Sequence, residues 1–384
     1  MDIPFQWPTR VRFGFGVSAL AGEEARSLGG TRALVVTDPG VRGAGLLDGV
    51  LASLAAAGVA SHVHDRVSGN PRDHECVAAA DAGRAFGAQV VVAVGGGSPM
   101  DAAKTAAALL TNGGSPQDWE APALLREDPL PIIAIPTTSG TGSEVTFYAV
   151  VTDTARRFKM SLLDTRIAPR VALVDPDLTM TMPPPVTAST GMDALTHAVE
   201  AFTGNLANPM ADALAKEAIR LIAIHLAGAV RDGSNREARS GMMMASLLAG
   251  MAFGNTDVAA VHCLAEAIGG RYDTPHGVAN SVFLPHVFAH NAEAFPARHA
   301  EVAAALGLDA DGIPDEAAAV RAAGFIADLS REVGIPSLRA LPGVDPVDFP
   351  ALAEAAKRNV SDPSNRRPYE VADYLLMLRR AWDA

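Results

Sequence analysis

The chain has 384 residues, 49% of them hydrophobic and 19% charged, which excludes a disordered polymer and suits two domains better than one. Its formal charge of −12 argues against nucleic acid or an anionic membrane as partner, although backbone amides and one or two lysines can still hold an anionic cofactor locally. Two cysteines, Cys76 and Cys263, stand far apart with no C-x-x-C spacing, which suits a reducing compartment and argues against a disulfide framework.

The opening MDIPFQWPTRVRFGFG has no apolar run with a small-residue cleavage site, so a secretion signal is not expected. The most apolar stretches, near 219–230 and 241–254, fall short of the roughly 18 residues of a membrane span. A cytoplasmic protein is the expectation.

Up to about residue 180, β-branched runs alternate with alanine-rich stretches. ALVVTD (33–38), VVVAVG (90–95), PIIAIP (131–136) and VALVDP (171–176) read as buried strands, and 46–58 and 75–87 carry helical spacing. That alternation predicts an α/β dinucleotide-binding domain over 1–182, with a mostly parallel sheet. Pro183, Pro184 and Pro185 then read as a break. Beyond them helices are predicted over 187–203, 209–231, 236–253, 257–268, 296–306, 314–334 and 369–382. The second domain, 183–384, is expected to be all-α.

Within the first half, Gly14 to Ala19 matches the G-x-G-x-x-A form of the dinucleotide fingerprint, and Asp38 ends a strand 22 residues after Gly16. The match is short, and a simple turn explains it as well. An acid such as Asp38 can bond a ribose 2′-hydroxyl and repel a 2′-phosphate, which favours NAD over NADP. The stronger feature is GGGSPMDAAK (95–104), which follows a strand. Ser98 can cap a helix, Pro99 suits its first position and Asp101 completes a capping box. A glycine turn opening a helix makes an anion site. It is not a Walker A loop, since Ser98 and Ala103 occupy glycine places of that motif. PTTSGTGSEVT (136–146) is a second loop after a strand, crowded with hydroxyls, where doubly wound sheets bind ligands.

In the second half, Asp193 and His197 lie four apart in GMDALTHAVEAF, and His262 and His276 lie fourteen apart. Residues four apart share a helix face. One carboxylate and three imidazoles make a ligand set for a divalent transition ion with an open coordination position. Each residue also has a plainer reading: Asp193 as capping-box acid to Thr190, His197 and His262 as core histidines, and His276 as a turn residue. His225, His286 and His290 form no convergent pattern and read as structural. Spacing alone leaves the choice open.

The segments GGGSPMDAAK, PTTSGTGSEVT, VALVDPDLTMTMPP, GMDALTHAVEAF, and His262 with PHGVAN stand in the order found in the iron-containing (group III) alcohol dehydrogenases, which the chain resembles over nearly its whole length. The resemblance implies hydride transfer between NAD(H) and a small alcohol or aldehyde, with NADP the lesser expectation. It also implies Fe²⁺, although Zn²⁺ would bind at least as well by intrinsic affinity order, and a homodimer or larger homo-oligomer. Metal ligands are then implied at Asp193, His197, His262 and His276. Cofactor contacts are implied at Asp38, Asn70, Gly95, Gly96, Gly97, Ser98, Thr137, Thr138 and Lys159.

The similar maleylacetate reductases often carry Asn in place of the acid, so Asp193 points away from a metal-independent enzyme of that kind. A metallohydrolase and a nucleotide sensor without chemistry are the rivals from other classes. Two positions depart from the family pattern. Glu266 stands where a second histidine is frequent in His-x-x-x-His, near the expected nicotinamide and substrate; a negative charge there would disfavour anionic substrates. Tyr148 stands where Asn is frequent after Glu-Val-Thr.

Overall fold

Continuous apolar strands alternating with helices build the first unit. The structure is a computed structural model that describes residues 5–384, and Trp7–Thr181 forms one compact unit. In chain order this unit holds β1 (Arg10–Phe13), α1 (Ala21–Ser27), β2 (Arg32–Val36), α2 (Pro39–Gly43), α3 (Asp48–Ala56), β3 (Ala60–His64), α4 (Asp73–Phe86), β4 (Val90–Gly95), α5 (Gly97–Asn112), β5 (Ile132–Pro136), β6 (Tyr148–Asp153), β7 (Phe158–Leu163) and β8 (Val171–Val174). Six strands form a parallel sheet in the order β1-β8-β5-β4-β2-β3.

Because successive side chains point to opposite faces, the strands feed two cores. Leu34, Val36, Val91, Ala93, Ile132 and Ala134 join α4 and α5 on one face. Ala33, Val35, Val92, Val94, Ile133 and Ile135 join α1 and α3 on the other. Each buried Val, Leu or Ile contributes about 1.5–3 kcal/mol, so the sheet is held from both sides.

The chain passes from β2 outward to β3, then returns across β2 to β4. Adjacent crossovers therefore leave in opposite directions between β2 and β4, which is the topological switch point where such sheets bind ligands. All four strands read from the sequence are present. Sequence reasoning missed β3, whose ASHVH is mostly exposed, and the antiparallel β6–β7 hairpin.

Met182–Ala384 forms the second unit, to which Gln6 is tied by reciprocal bonds with Asn255. Its helices are α6 (Pro184–Thr203), α7 (Pro209–Arg231), α8 (Arg236–Phe253), α9 (Ala260–Tyr272), α10 (His276–Ala292), α11 (Pro296–Ala305), α12 (Asp315–Glu332), α13 (Phe349–Lys357) and α14 (Val371–Asp383). The proline run does not break this unit as the sequence reading expects. Pro184 and Pro185 are the first residues of α6, where a missing N–H costs nothing and the fixed φ is already helical. Buried Arg239 secures that start by donating to Thr187 Oγ1 and Met182 O. Helix α6 is buried continuously from Gly191 to Thr203 and packs against α7, α8 and α10. Two helices escaped the sequence reading, α10 with its internal Pro285 and the short α13.

Candidate metal centre and phosphate loop

Helical spacing brings Asp193 and His197 to one face of α6, where both are buried, with His197 Nδ1 3.9 Å from Asp193 Oδ2. Asp193 lies deep inside the helix, and Thr190 Oγ1 donates back to Val186 O at 2.8 Å, so the two do not form a capping box. His262 enters from the first turn of α9 and His276 is the first residue of α10. Gly277 makes the second approach possible. A Cβ there would stand 2.4 Å from Ser189 O, so only glycine lets α10 seat this close to α6. His276 Nε2 is thereby held 3.8 Å from Asp193 Oδ1.

The four residues each offer a ligand atom, all within 4.8 Å of one another. Ring centroids of His197 and His262 are 4.6 Å apart, and those of His262 and His276 5.2 Å. Phe253 stacks on His197 at 4.3 Å and walls that side with hydrocarbon. Three of the four residues are buried and His276 is partly exposed. One carboxylate oxygen and three imidazole nitrogens at this spacing fit a divalent transition ion.

Two residues that sequence reasoning passed over complete this cluster. Glu200, on α6, is buried, and its carboxylate accepts from Ala259 N–H (2.9 Å) and Val261 N–H (2.7 Å) and lies 2.6 Å from His262 Nδ1. Asn280 is fully buried on α10; its Nδ2 donates to Asp193 Oδ1 at 2.7 Å and lies 3.1 and 3.2 Å from Nε2 of His262 and His276. Their spacings, His197-x-x-Glu200 and His276-x-x-x-Asn280, were the available signal, since both place a polar group on a ligand's own helix face. Burial disfavours the charged imidazolium of His262, but the Glu200 carboxylate, helped by Asp193 and Glu266, outweighs it and holds that pKa above the usual value. Glu266 is half-buried one turn further along α9 and accepts from Asn359 Nδ2 at 2.6 Å.

The other cluster lies at the carboxyl ends of β2, β4 and β5. Helix α5 begins at Gly97 with Gly96 as its N-cap, two residues earlier than the Ser98 cap expected from sequence. Asp101 therefore completes no capping box; its carboxylate accepts from Ser143 Oγ (3.0 Å) and Val150 N–H (3.2 Å). The difference strengthens the anion reading, because a glycine cap offers no side chain to the first N–H groups of the helix. A Cβ at Gly96 would stand 3.1 Å from Thr138 Oγ1, and one at Gly97 2.8 Å from Thr141 Cγ2, so the hydroxyl-rich loop lies directly on the glycine loop. Thr137 N–H donates to Gly95 O at 3.0 Å.

Asn70, in a left-handed conformation at φ 55°, joins the same place. Its N–H donates to Ser98 Oγ at 3.2 Å, and its Oδ1 accepts from Lys159 Nζ at 2.7 Å. Asp38 lies two residues past the end of β2, the strand beside β4, and caps α2 by accepting from Val41 N–H at 2.8 Å. Gly95–Ser98, Thr137, Thr138, Asn70 and Lys159 thus gather at one strand end, with Asp38 at the next.

The Gly14–Ala19 turn is otherwise engaged. Gly16 and Ser18 N–H groups and the Ser18 hydroxyl all donate to the Asp175 carboxylate, at 2.9, 3.0 and 2.6 Å. An acid already holds the amides that a pyrophosphate would need. Tyr148 opens β6, where its carbonyl accepts from Lys104 Nζ at 2.7 Å and its ring stacks on Phe147.

Residues 8–176 match the family model described as iron-containing alcohol dehydrogenase, and 187–382 match that of the Fe-containing alcohol dehydrogenase family's C-terminal part. The chain belongs to the iron-containing alcohol dehydrogenase family. It is 43% identical to the 1,3-propanediol dehydrogenase of Citrobacter freundii over 373 residues, covering 96% of each chain. The crystal structure of a 1,3-propanediol oxidoreductase superposes with a TM-score of 0.96 at 41% identity, over 99% of this chain and all of the other. Sulfoacetaldehyde reductase from Bifidobacterium kashiwanohense, solved in complex with NAD⁺, superposes at 0.89 with 30% identity over all of both chains. The chain is accordingly an oxidoreductase of the NAD-linked alcohol and aldehyde class. Among its described residues no helix is long and apolar enough to cross a membrane.

Proposed function

We propose that the protein interconverts a small alcohol and its aldehyde with NAD(H), using a divalent ion, Fe²⁺ or Zn²⁺, held by Asp193, His197, His262 and His276. The observation that carries this reading is the meeting of those four ligand atoms within 4.8 Å, from three different helices, in a largely buried setting. Helices do not bring a carboxylate and three imidazoles together out of water without a compensating partner. The ion, when bound, supplies Lewis acidity toward the substrate oxygen. Asp193 offsets part of its charge, and the neutral imidazoles fix its position. Residues 183–384 form the metal-binding and substrate domain in this reading, and 1–182 the dinucleotide-binding domain.

The first N–H groups of α5, at Gly97 and Ser98, hold the pyrophosphate, with Gly95 and Gly96 making room for it. Asn70 and Lys159 stand at its edge, and Thr137 and Thr138 line the neighbouring loop. Asp38 accepts from a ribose 2′-hydroxyl and disfavours NADP by like-charge repulsion. Relatives acting on propanediol support a small, neutral, hydroxyl-bearing substrate. By family likeness the protein works in the cytoplasm as a homodimer or larger homo-oligomer, without nucleic acid or membrane as partner.

The deciding experiment follows NADH absorbance at 340 nm with a panel of short aldehydes, before and after chelation. Loss on chelation and recovery with Fe²⁺ or Zn²⁺ is expected. Activity unchanged by chelation and by Asp193→Asn would instead identify a metal-independent reductase. Ester or phosphate turnover without nicotinamide would identify a hydrolase, and NADH binding without oxidation a sensor.

A further inference from the structure

Glu200 is a buried carboxylate that the proposed reaction does not use, and all its visible partners lie on one short segment. The N–H groups of Ala259 and Val261 are the N-cap and second residue of α9, and one donates to each oxygen of the carboxylate, which fixes its orientation. The third partner is His262 Nδ1, at 2.6 Å. An ionised carboxylate has only lone pairs to offer, so this contact requires a proton on Nδ1. In the neutral imidazole the lone pair is then on Nε2, 3.1 Å from Asn280 Nδ2, which itself bonds Asp193. One side chain of α6, the helix that carries Asp193 and His197, thereby sets the tautomer, the rotation and the basicity of a ligand on α9.

We propose that Glu200 is the positioning residue of the metal centre, and that its carboxylate, through His262, determines how tightly the centre retains a dication. The inference rests on the metal reading above. Outer-sphere partners of this kind typically change metal affinity by about 10–100-fold. Asn280 also orients a ligand, Asp193, but as a hydrogen-bond donor it draws on that carboxylate and does not raise its basicity.

Glu200→Gln keeps the size of the side chain and removes its charge. The full-length protein and this variant are compared by competition with a chromophoric chelator for Zn²⁺, and by the visible d–d spectrum after loading with Co²⁺. The variant is expected to hold Zn²⁺ about 10–100-fold more weakly and to show a shifted Co²⁺ spectrum, while NADH binds it unchanged. Were Glu200 only a helix cap, the metal-free variant would melt earlier, yet bind Zn²⁺ with wild-type affinity and give the wild-type Co²⁺ spectrum. That result overturns the proposal. Glu200→Asp, which keeps the charge but falls short of His262, provides the same reading if the amide variant does not fold; a wild-type affinity there overturns it equally. Failure of the wild-type protein to bind any divalent ion would sink the metal reading itself, so the two failures are distinguishable.

Discussion

At the end of the parallel sheet, the groups offered to a ligand are mainly backbone: the glycine-capped start of α5 and the turn that leads into it. In the helical unit the groups offered are all side chains, brought from α6, α9 and α10. A backbone site is specified by what is absent, since glycine leaves N–H groups exposed and lets a neighbouring loop lie close. A side-chain site is specified by rotation and register, so it depends on how three helices are packed. The first tolerates changes in side-chain identity around it, and the second does not. Substitutions on either side should therefore fail in different ways.

The largest effect is expected from Asp193→Asn, which keeps the shape of the ligand and removes its charge. A metal's charge stabilisation is worth several kcal/mol at 1.36 kcal/mol per tenfold, so kcat should fall roughly a thousandfold, with bound metal lost in parallel. Titration of NADH fluorescence should give an unchanged Kd, because the loop at the end of β4 is untouched. A variant that keeps full activity and metal would remove the side-chain site from the account.

Gly277→Ala comes next. Its Cβ would meet Ser189 O at 2.4 Å, so α10 must move away from α6 and carry His276 from Asp193. Overpacking of this kind costs about 1–3 kcal/mol. A lower melting temperature and a weakened affinity for Zn²⁺ should appear together, again without change in NADH binding. Gly97→Ala is the counterpart in the other unit. The added methyl would stand 2.8 Å from Thr141 Cγ2 and should weaken NADH by about tenfold, or 1.4 kcal/mol, while metal content stays whole. If either glycine variant disturbed both ligands equally, the division of labour drawn here would be wrong.

The same contrast explains what could be read from the sequence. Strands β2, β4, β5 and β8 were legible because burial on both faces demands continuous apolar runs. β3 was not, since an edge strand with a mostly exposed ASHVH lacks that signal. Helix α10 was hidden because its central Pro285 and its His-Gly start look like loop chemistry, although its register places His276 and Asn280. The four candidate ligands were visible as spacing, but their convergence belongs to packing: it depends on Gly277 and on the burial of α6, neither of which is periodic. Glu200 escaped for a related reason. Its partner is 62 residues away, and its place one turn after His197 does not by itself separate it from a solvated glutamate. The cap was read two residues late, at Ser98, because capping rules favour a hydroxyl, whereas this helix begins on glycine.

A buried charge cluster beneath the hydroxyl-rich loop yields the most discriminating expectation. Lys104 Nζ donates to Ser143 Oγ, Thr146 Oγ1 and Tyr148 O and ties α5 to the loop that lies on its glycine start. Burial lowers its pKa to about 8, against the opposing pull of Asp101 and Glu144. Burial raises Glu144 to about 7 from 4.5, although Lys104 favours the ionised form. Between 4.5 and about 7 the folded protein keeps a proton on Glu144 that the unfolded chain has released, so stability falls as pH rises through that window. Between about 8 and 10.5 the folded protein has lost the Lys104 proton while the unfolded chain retains it, so stability rises with pH there. Glu144→Gln should abolish the first limb and leave the second. Urea midpoints of both proteins from pH 5 to 10 measure this: the variant should gain on the wild type between pH 5 and 7 and hold a constant lead to pH 8. Curves that run parallel from pH 5 to 7 would mean that Glu144 is ionised throughout, and that water reaches the underside of this loop.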